Sequence, residues 1–145
     1  MKKTNKRKCM RNCAGELIIE MMAGLMILIP IGFVCLDIGA LMLGAIANET
    51  VCRNAARSAA AGPKAQLLPR VNSVIPNASQ QTGCFVWHQV AATDVSYKTP
   101  DSMYARGSVS AKTRLTINLP APIPGLPSAV DVTALQVFPY TYAGG

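Results

Sequence analysis

The sequence has few aromatic residues, 6% in all, and a single histidine, His88. A lone imidazole argues against a histidine-based catalytic triad and against a multi-histidine metal site. Asp94 and Asp101 lie on separate segments from His88, and Cys9 and Cys13 have no further ligands nearby in the chain. The sequence therefore predicts no catalytic residues, no metal site and no cofactor, and we do not expect an enzyme.

Acidic residues are also scarce, with 7 Asp and Glu against 14 Lys and Arg in 145 residues. Most of the basic excess precedes Gly15, in Lys2, Lys3, Lys6, Arg7, Lys8 and Arg11. The rest of the chain is nearly neutral, which argues against a nucleic-acid partner. Arg106, Lys112 and Arg114, near Tyr104, are interpreted as a solvated strand face. We expect no small-molecule substrate either.

A long apolar run is present instead, over residues 17–47, interrupted only by Glu20 and Asp37. A bilayer core needs about 20 helical residues, and the h-region of a cleaved secretory signal is shorter than this run. We therefore predict a basic leader over residues 1–15 and a membrane-spanning helix over residues 16–47. Because the basic residues precede the run, its N-terminus should be cytoplasmic and the following chain periplasmic or extracellular.

The predicted span contains residues that a simple anchor does not need. Glu20 and Asp37 are charged, and a charge within a bilayer usually has a functional partner. Pro30 lacks a backbone N–H and should loosen or kink the helix. Close approach of other helices is favoured by four glycines, Gly24, Gly32, Gly39 and Gly44. Together these residues favour a helix that packs against other helices.

The N-terminal motif has a specific spacing. A basic leader ends at Gly15, and Glu20 is the fifth residue after it, at the start of the apolar run. This layout resembles that of type IV pilin precursors. Pro30, the Asp37-Ile38-Gly39 triplet and the alanine-rich residues 54–60 narrow the resemblance to the TadE-like minor pseudopilins of tight-adherence (Flp-type) pili. The resemblance covers about residues 7–62.

The resemblance implies cleavage between Gly15 and Glu16 by a prepilin peptidase in the inner (cell) membrane. It assigns assembly roles to Glu20, Pro30 and Asp37. Glu20 would act through its charge, because the new amine on Glu16 and on neighbouring subunits would pair with the Glu20 carboxylate. Implied partners are the membrane, the peptidase, other pilin subunits and an inner-membrane assembly platform. The alternative is an unprocessed single-pass membrane protein with a periplasmic interaction domain.

Beyond the span, the sequence predicts a helical extension over residues 48–62 and a small β-rich domain over residues 63–145. A narrow apolar stripe on the extension should lie on a sheet, and it comprises Val51, Cys52, Ala55, Ala56 and Ala59. Gly62-Pro63 should end the helix, and either a second short helix or an irregular segment is expected over residues 64–75. Strands are predicted over residues 84–92, 107–119 and 129–138. Leu135 and Val137 suggest that the last strand is buried on both faces. The predicted fold class is therefore α+β, a long N-terminal helix packed on a small antiparallel sheet.

Cys52 and Cys84 are the two cysteines predicted to lie beyond the membrane. In an oxidising periplasm, a bridge between them would close a loop of about 33 residues and add roughly 3–4 kcal/mol of stability. The sequence does not fix the geometry, so the pair is a candidate disulfide and free thiols remain the alternative.

Overall fold

The structure is a computed structural model that describes residues 6–76, 83–100, 106–121 and 127–140, with side chains from Gly15 onward. The chain divides into two compact units, Met1–Leu36 and Asp37–Gly145. Helix α1, Lys6–Ala60, supplies all of the described part of the first unit and the beginning of the second.

Helix α1 ends where the sequence predicts. The last backbone hydrogen bonds run from Ala61 N to the carbonyl oxygen of Arg57 at 3.2 Å and from Gly62 N to that of Ala59 at 3.4 Å. Pro63 then takes an extended conformation, with φ −62° and ψ 146°. Proline removes the next backbone donor and cannot continue the α-helical pattern, so the chain turns here.

A short helical segment follows, which is the first of the two alternatives expected from the sequence. It consists of a 3-10 turn, Lys64–Gln66, and helix α2, Leu67–Val74, whose Val71 is buried. The side-chain amide of Asn72 pairs with the backbone of Val90 in both directions, accepting from Val90 N at 2.9 Å and donating to its carbonyl oxygen at 3.3 Å. The amide thus imitates one rung of a β-ladder and fixes α2 to the chain segment at Val90.

Four antiparallel strands form one sheet: β1, Phe85–Trp87; β2, Val95–Lys98; β3, Ser108–Asn118; and β4, Ala129–Pro139. Strand β4 pairs with β3 along its whole length, from Asn118 opposite Ala129 to Ser108 opposite Pro139. Strands β1 and β2 pair with opposite ends of the same β3, so they lie end to end along its other edge.

The core forms between the sheet and the second half of α1. Side chains on β3 alternate between buried and accessible, which confirms the predicted strand pattern. The predicted helix stripe is also confirmed: Cys52, Ala55, Ala56 and Ala59 have no exposed surface, and Val51 packs at the margin of the core. Because alanine and glycine project little beyond the backbone, the helix can approach the sheet closely.

Gly44 shows how close that approach is. A Cβ atom there would overlap the Ile117 side chain, with Cγ1 at 2.8 Å and Phe85 Cε1 at 3.1 Å. At the other end of the sheet, the Tyr140 hydroxyl donates to the carbonyl oxygen of Gly62 at 2.8 Å. Lys64 Nζ lies 4.0 Å from the centroid of the Tyr97 ring. These contacts hold the helix end and the following turn against the sheet.

Three strand predictions need correction. Strand β1 covers three residues rather than the predicted 84–92, and β2 is not predicted at all. The expectation that β4 is buried on both faces is wrong, since Leu135 and Val137 are 63% and 59% exposed. In the described part of the chain, helices α1 and α2 pack on one face of the sheet, and these two side chains lie on the opposite face. The proline-rich connection falls mostly outside the described residues.

Candidate functional site

The apolar part of α1 has no partner within its own unit. Every side chain from residue 15 to residue 36 is exposed, and Met26 is exposed by 77%. A Cβ atom added at Gly24 or Gly32 would meet nothing within 4 Å. By length and composition, one helix of the described chain, Gly15–Ala60, could cross a membrane. A helix that is apolar on all sides needs lipid or other helices around it.

The predicted processing and assembly residues lie along this helix and do not form a cluster. Gly15 and Glu16 lie within the helix, one turn before Glu20, and all three residues are exposed. Among the described side chains, neither glutamate has a hydrogen-bond or ion-pair partner. Helix α1 is continuous through Pro30, which is ten residues, or about 15 Å of helical rise, beyond Glu20.

Asp37 differs from the other predicted assembly residues because it is buried, with 6% of its surface exposed. Its Oδ1 atom accepts a hydrogen bond from the backbone N–H of Ala121, at 3.1 Å. Ala121 follows the end of β3, so the carboxylate joins the beginning of the second unit to the β3–β4 connection. The Asp37 side chain thus contacts its own chain, and its predicted role in assembly stays a prediction.

A second polar contact between helix and sheet centres on Asn48, which sequence reasoning missed. Asn48 is completely buried; its Nδ2 donates to the carbonyl oxygen of Val132 at 2.9 Å, and its Oδ1 accepts from the Thr113 hydroxyl at 2.8 Å. The signal was present in the sequence, because Asn48 lies four residues from both Gly44 and Cys52 on the stripe that faces the sheet.

The candidate disulfide is not formed. Cys52 and Cys84 are both free thiols. Cys52 Sγ lies 3.2 Å from the carbonyl oxygen of Ala111, whereas the carbonyl oxygen of Cys84 accepts from Asn118 N at 2.7 Å. Seven residues of β3 separate these two positions, which is about 20 Å of strand and far beyond the reach of a disulfide. The pairing prediction is therefore wrong.

The gap between β1 and β2 leaves a cavity of about 240 Å³ at the edge of β3. Its charged and ionisable lining side chains are His88, Asp94, Lys112 and Arg114. Lys112 and Arg114 are exposed, as predicted for a solvated strand face, and Tyr104 lies outside the described residues. Because Asp94 offsets part of the positive charge, the lining does not select an anion strongly.

His88 takes part in a short chain of hydrogen bonds on the exposed face of the sheet. Its Nε2 lies 2.7 Å from the Thr116 hydroxyl, which donates its proton to Asp131. His88 Nε2 must therefore be the donor toward Thr116, because that hydroxyl has only one proton. In the described part of the chain no cysteine or serine nucleophile adjoins His88, and no group of three histidine, cysteine or acidic residues could hold a metal ion.

Comparisons of the chain with protein-family models, curated proteins and solved structures found no match. We therefore infer a function from the chain's own residues. Three features support this inference: the exposed apolar segment of α1, the acidic residues near its two ends, and the second unit, Asp37–Gly145 (the sheet unit), in which Asp37 and Asn48 bind Ala121 and Val132.

Proposed function

We propose that this chain is a minor pilin-like subunit, similar to the TadE-like pseudopilins, of a tight-adherence pilus or a related secretion filament. The observation that carries the proposal is the exposed apolar segment of α1 over residues 17–36, which directly follows the Gly15–Glu16 motif and contains one acidic residue, Glu20. Such a helix can be held first by lipid and later by the helices of other subunits. The chain alone offers it no covering surface in the described residues.

Cleavage after Gly15 gives Glu20 its role. The cut would create a positively charged amine on Glu16, one helical turn from the Glu20 carboxylate. In a bundle of subunits the same carboxylate would also meet the amine of a neighbour. Since a charge removed from water needs an opposite charge close by, Glu20 favours assembly of processed subunits.

The location and partners follow from this proposal. The chain spans the inner membrane once, with its basic N-terminus in the cytoplasm and the sheet unit on the other side. A prepilin peptidase processes it, and an assembly platform and other pilin subunits receive it. The hydrocarbon-spanning part is residues 17–36, since about 20 helical residues cross the bilayer core.

Processing and assembly can be tested separately with two variants of the full chain. Gly15→Leu places a bulky side chain at the proposed scissile bond, so we expect uncut precursor on a gel. Gly24→Leu is the matched control, because a side chain there meets nothing within 4 Å. N-terminal sequencing of the native protein isolated from cells should give Glu16 as the first residue. A chain that still carries the leader would contradict the proposal.

Glu20→Ala should still insert and be cut, but it should be lost from sheared pilus fractions or from co-purified pilin subunits. Its matched control is Glu49→Ala, since Glu49 is an exposed glutamate that pairs with Arg53 at 2.9 Å outside the proposed span. We expect the Glu49 variant to assemble normally. Normal assembly of Glu20→Ala would remove the charge-pairing argument.

The alternative, an unprocessed membrane protein with an interaction domain, is favoured by one observation. Leu135 and Val137 expose apolar surface on β4, a strand that pairs on only one side among the described residues. An edge strand with exposed apolar side chains can accept a partner strand. The N-terminal sequencing above separates the two functions, because only the pilin-like function requires a chain beginning at Glu16.

A further inference from the structure

The first part of the second unit, residues 38–48 of α1, contains no charged side chain. Asp37 is buried beneath Ala121, and the next charged residue along α1 is Glu49, about 18 Å further in helical rise. Between them, the helix face opposite the sheet exposes four apolar side chains: Ile38, Met42, Leu43 and Ile46, from 47% to 64%.

The sheet contributes a similar surface at the same end. Leu119 N donates to the carbonyl oxygen of Ser128 at 2.9 Å, which closes the base of the β3–β4 connection. Between these two residues the sequence contains no charged side chain. Pro120 and Pro127 are exposed at this base, and Ala121 binds Asp37. The described residues at this base and the neighbouring helix face of the second unit therefore form an uncharged rim.

We propose that this uncharged rim, formed by Ile38 and Met42 of α1 and by Leu119, Pro120, Ala121 and Pro127, is embedded in the headgroup layer of a phospholipid bilayer. This inference depends on the membrane span of the proposed function. The headgroup layer on one side of a bilayer is about 5–8 Å thick, so it contains Asp37 and the next few residues of the helix. Ala121 lies in that layer because it contacts Asp37 directly.

Lipid contact also explains the geometry of Asp37. A carboxylate at the boundary of the hydrocarbon core would be costly if it faced the lipid chains. Turning it toward the backbone N–H of Ala121 gives it a donor and covers it with the sheet unit. Conversely, Asp37 holds the rim against the helix at the membrane surface, so the carboxylate acts as a positioning residue for the sheet unit.

Tryptophan depth measurements on the full chain in phosphatidylcholine vesicles test this placement. In a Trp87→Phe background, Pro120→Trp reports on the rim and Pro139→Trp on the opposite end of the sheet. Met26→Trp reports on the middle of the apolar segment. Emission is compared in vesicles whose lipids are brominated near the headgroup or near the end of the acyl chain. Pro127→Trp is a second rim probe for use if Pro120→Trp does not fold.

We expect the rim probe to lose about half of its emission with lipids brominated near the headgroup and much less with deeply brominated lipids, as for tryptophan at a membrane interface. The Pro139→Trp probe should keep its emission in both, and Met26→Trp should be quenched most by deep bromine. Equal quenching of the rim and Pro139 probes, with Met26→Trp quenched, would overturn this inference alone. An unquenched Met26→Trp would overturn the membrane span as well.

Discussion

Replacement of Asn48 by leucine tests whether the buried amide holds α1 on the sheet. The leucine keeps the approximate volume but leaves the Thr113 hydroxyl without its partner, whereas the Val132 carbonyl keeps its place opposite Leu115 in the β3–β4 ladder. A buried polar group without a partner costs about 1–3 kcal/mol, so the unpaired hydroxyl should lower the free energy of unfolding by about 1–3 kcal/mol. Asn54→Leu is the matched control, since Asn54 is exposed on the same helix.

A double-mutant cycle sharpens this prediction. Thr113→Val removes the hydroxyl and leaves the Asn48 Oδ1 atom unpaired, at a cost of about 1–3 kcal/mol. In the double variant the Asn48–Thr113 contact is replaced by two apolar groups, so the combined loss should be smaller than the sum of the single losses. Urea unfolding of the full chain in detergent, followed by Trp87 fluorescence, measures each value because Trp87 packs against the core. Additive losses, or a loss below about 1 kcal/mol for Asn48→Leu, would refute the reasoning.

Two further predictions concern helix packing and the thiols. Gly44→Ala should lower the free energy of unfolding by about 1–3 kcal/mol because its Cβ overlaps Ile117, whereas Gly39→Ala, which meets nothing within 4 Å, should be neutral or raise it by up to about 1 kcal/mol. Equal changes in the free energy of unfolding of the two variants would contradict the close approach of α1 to the sheet at Gly44. A maleimide should modify Cys84 in the folded protein and Cys52 only after denaturation, with Cys84→Ser as the control for peptide mapping. A disulfide-linked peptide containing both cysteines would show that the strand register is wrong.

The sequence predicted the elements whose periodicity is long. Strand β3 alternates over eleven residues, and the stripe from Cys52 to Ala59 repeats at helical spacing, so both could be read before the structure was known. Strand β2 has only four residues, and its position depends on pairing with β3. A local sequence pattern cannot predict such a pairing between distant segments. The length predicted for β1 was wrong for a related reason, since the chain leaves the sheet after Trp87 to bind Asn72 through Val90.

The site was predicted less completely than the fold. Gly15, Glu20 and Asp37 could be selected because each departs from its surroundings in charge or size. The sequence could not reveal that Asp37 binds Ala121, because that contact joins residues 84 positions apart. The same reason explains the error over Cys52 and Cys84, whose separation depends on strand register. Leu135 and Val137 were misassigned because a pattern cannot say how many layers cover a sheet.

The order of the elements along the chain has a consequence for synthesis. The helix stripe that contains Ala55, Ala56 and Ala59 is made before the two long strands that cover it, β3 and β4, which lie near the C-terminus. Synthesis proceeds from the N-terminus, so the stripe waits uncovered while about 80 residues are added. Alanine exposes little apolar area during this interval. Leucine at the same positions would expose more apolar area, to which chaperones and other nascent chains could bind. The small side chains that allow close packing in the finished protein therefore also protect the unfinished one.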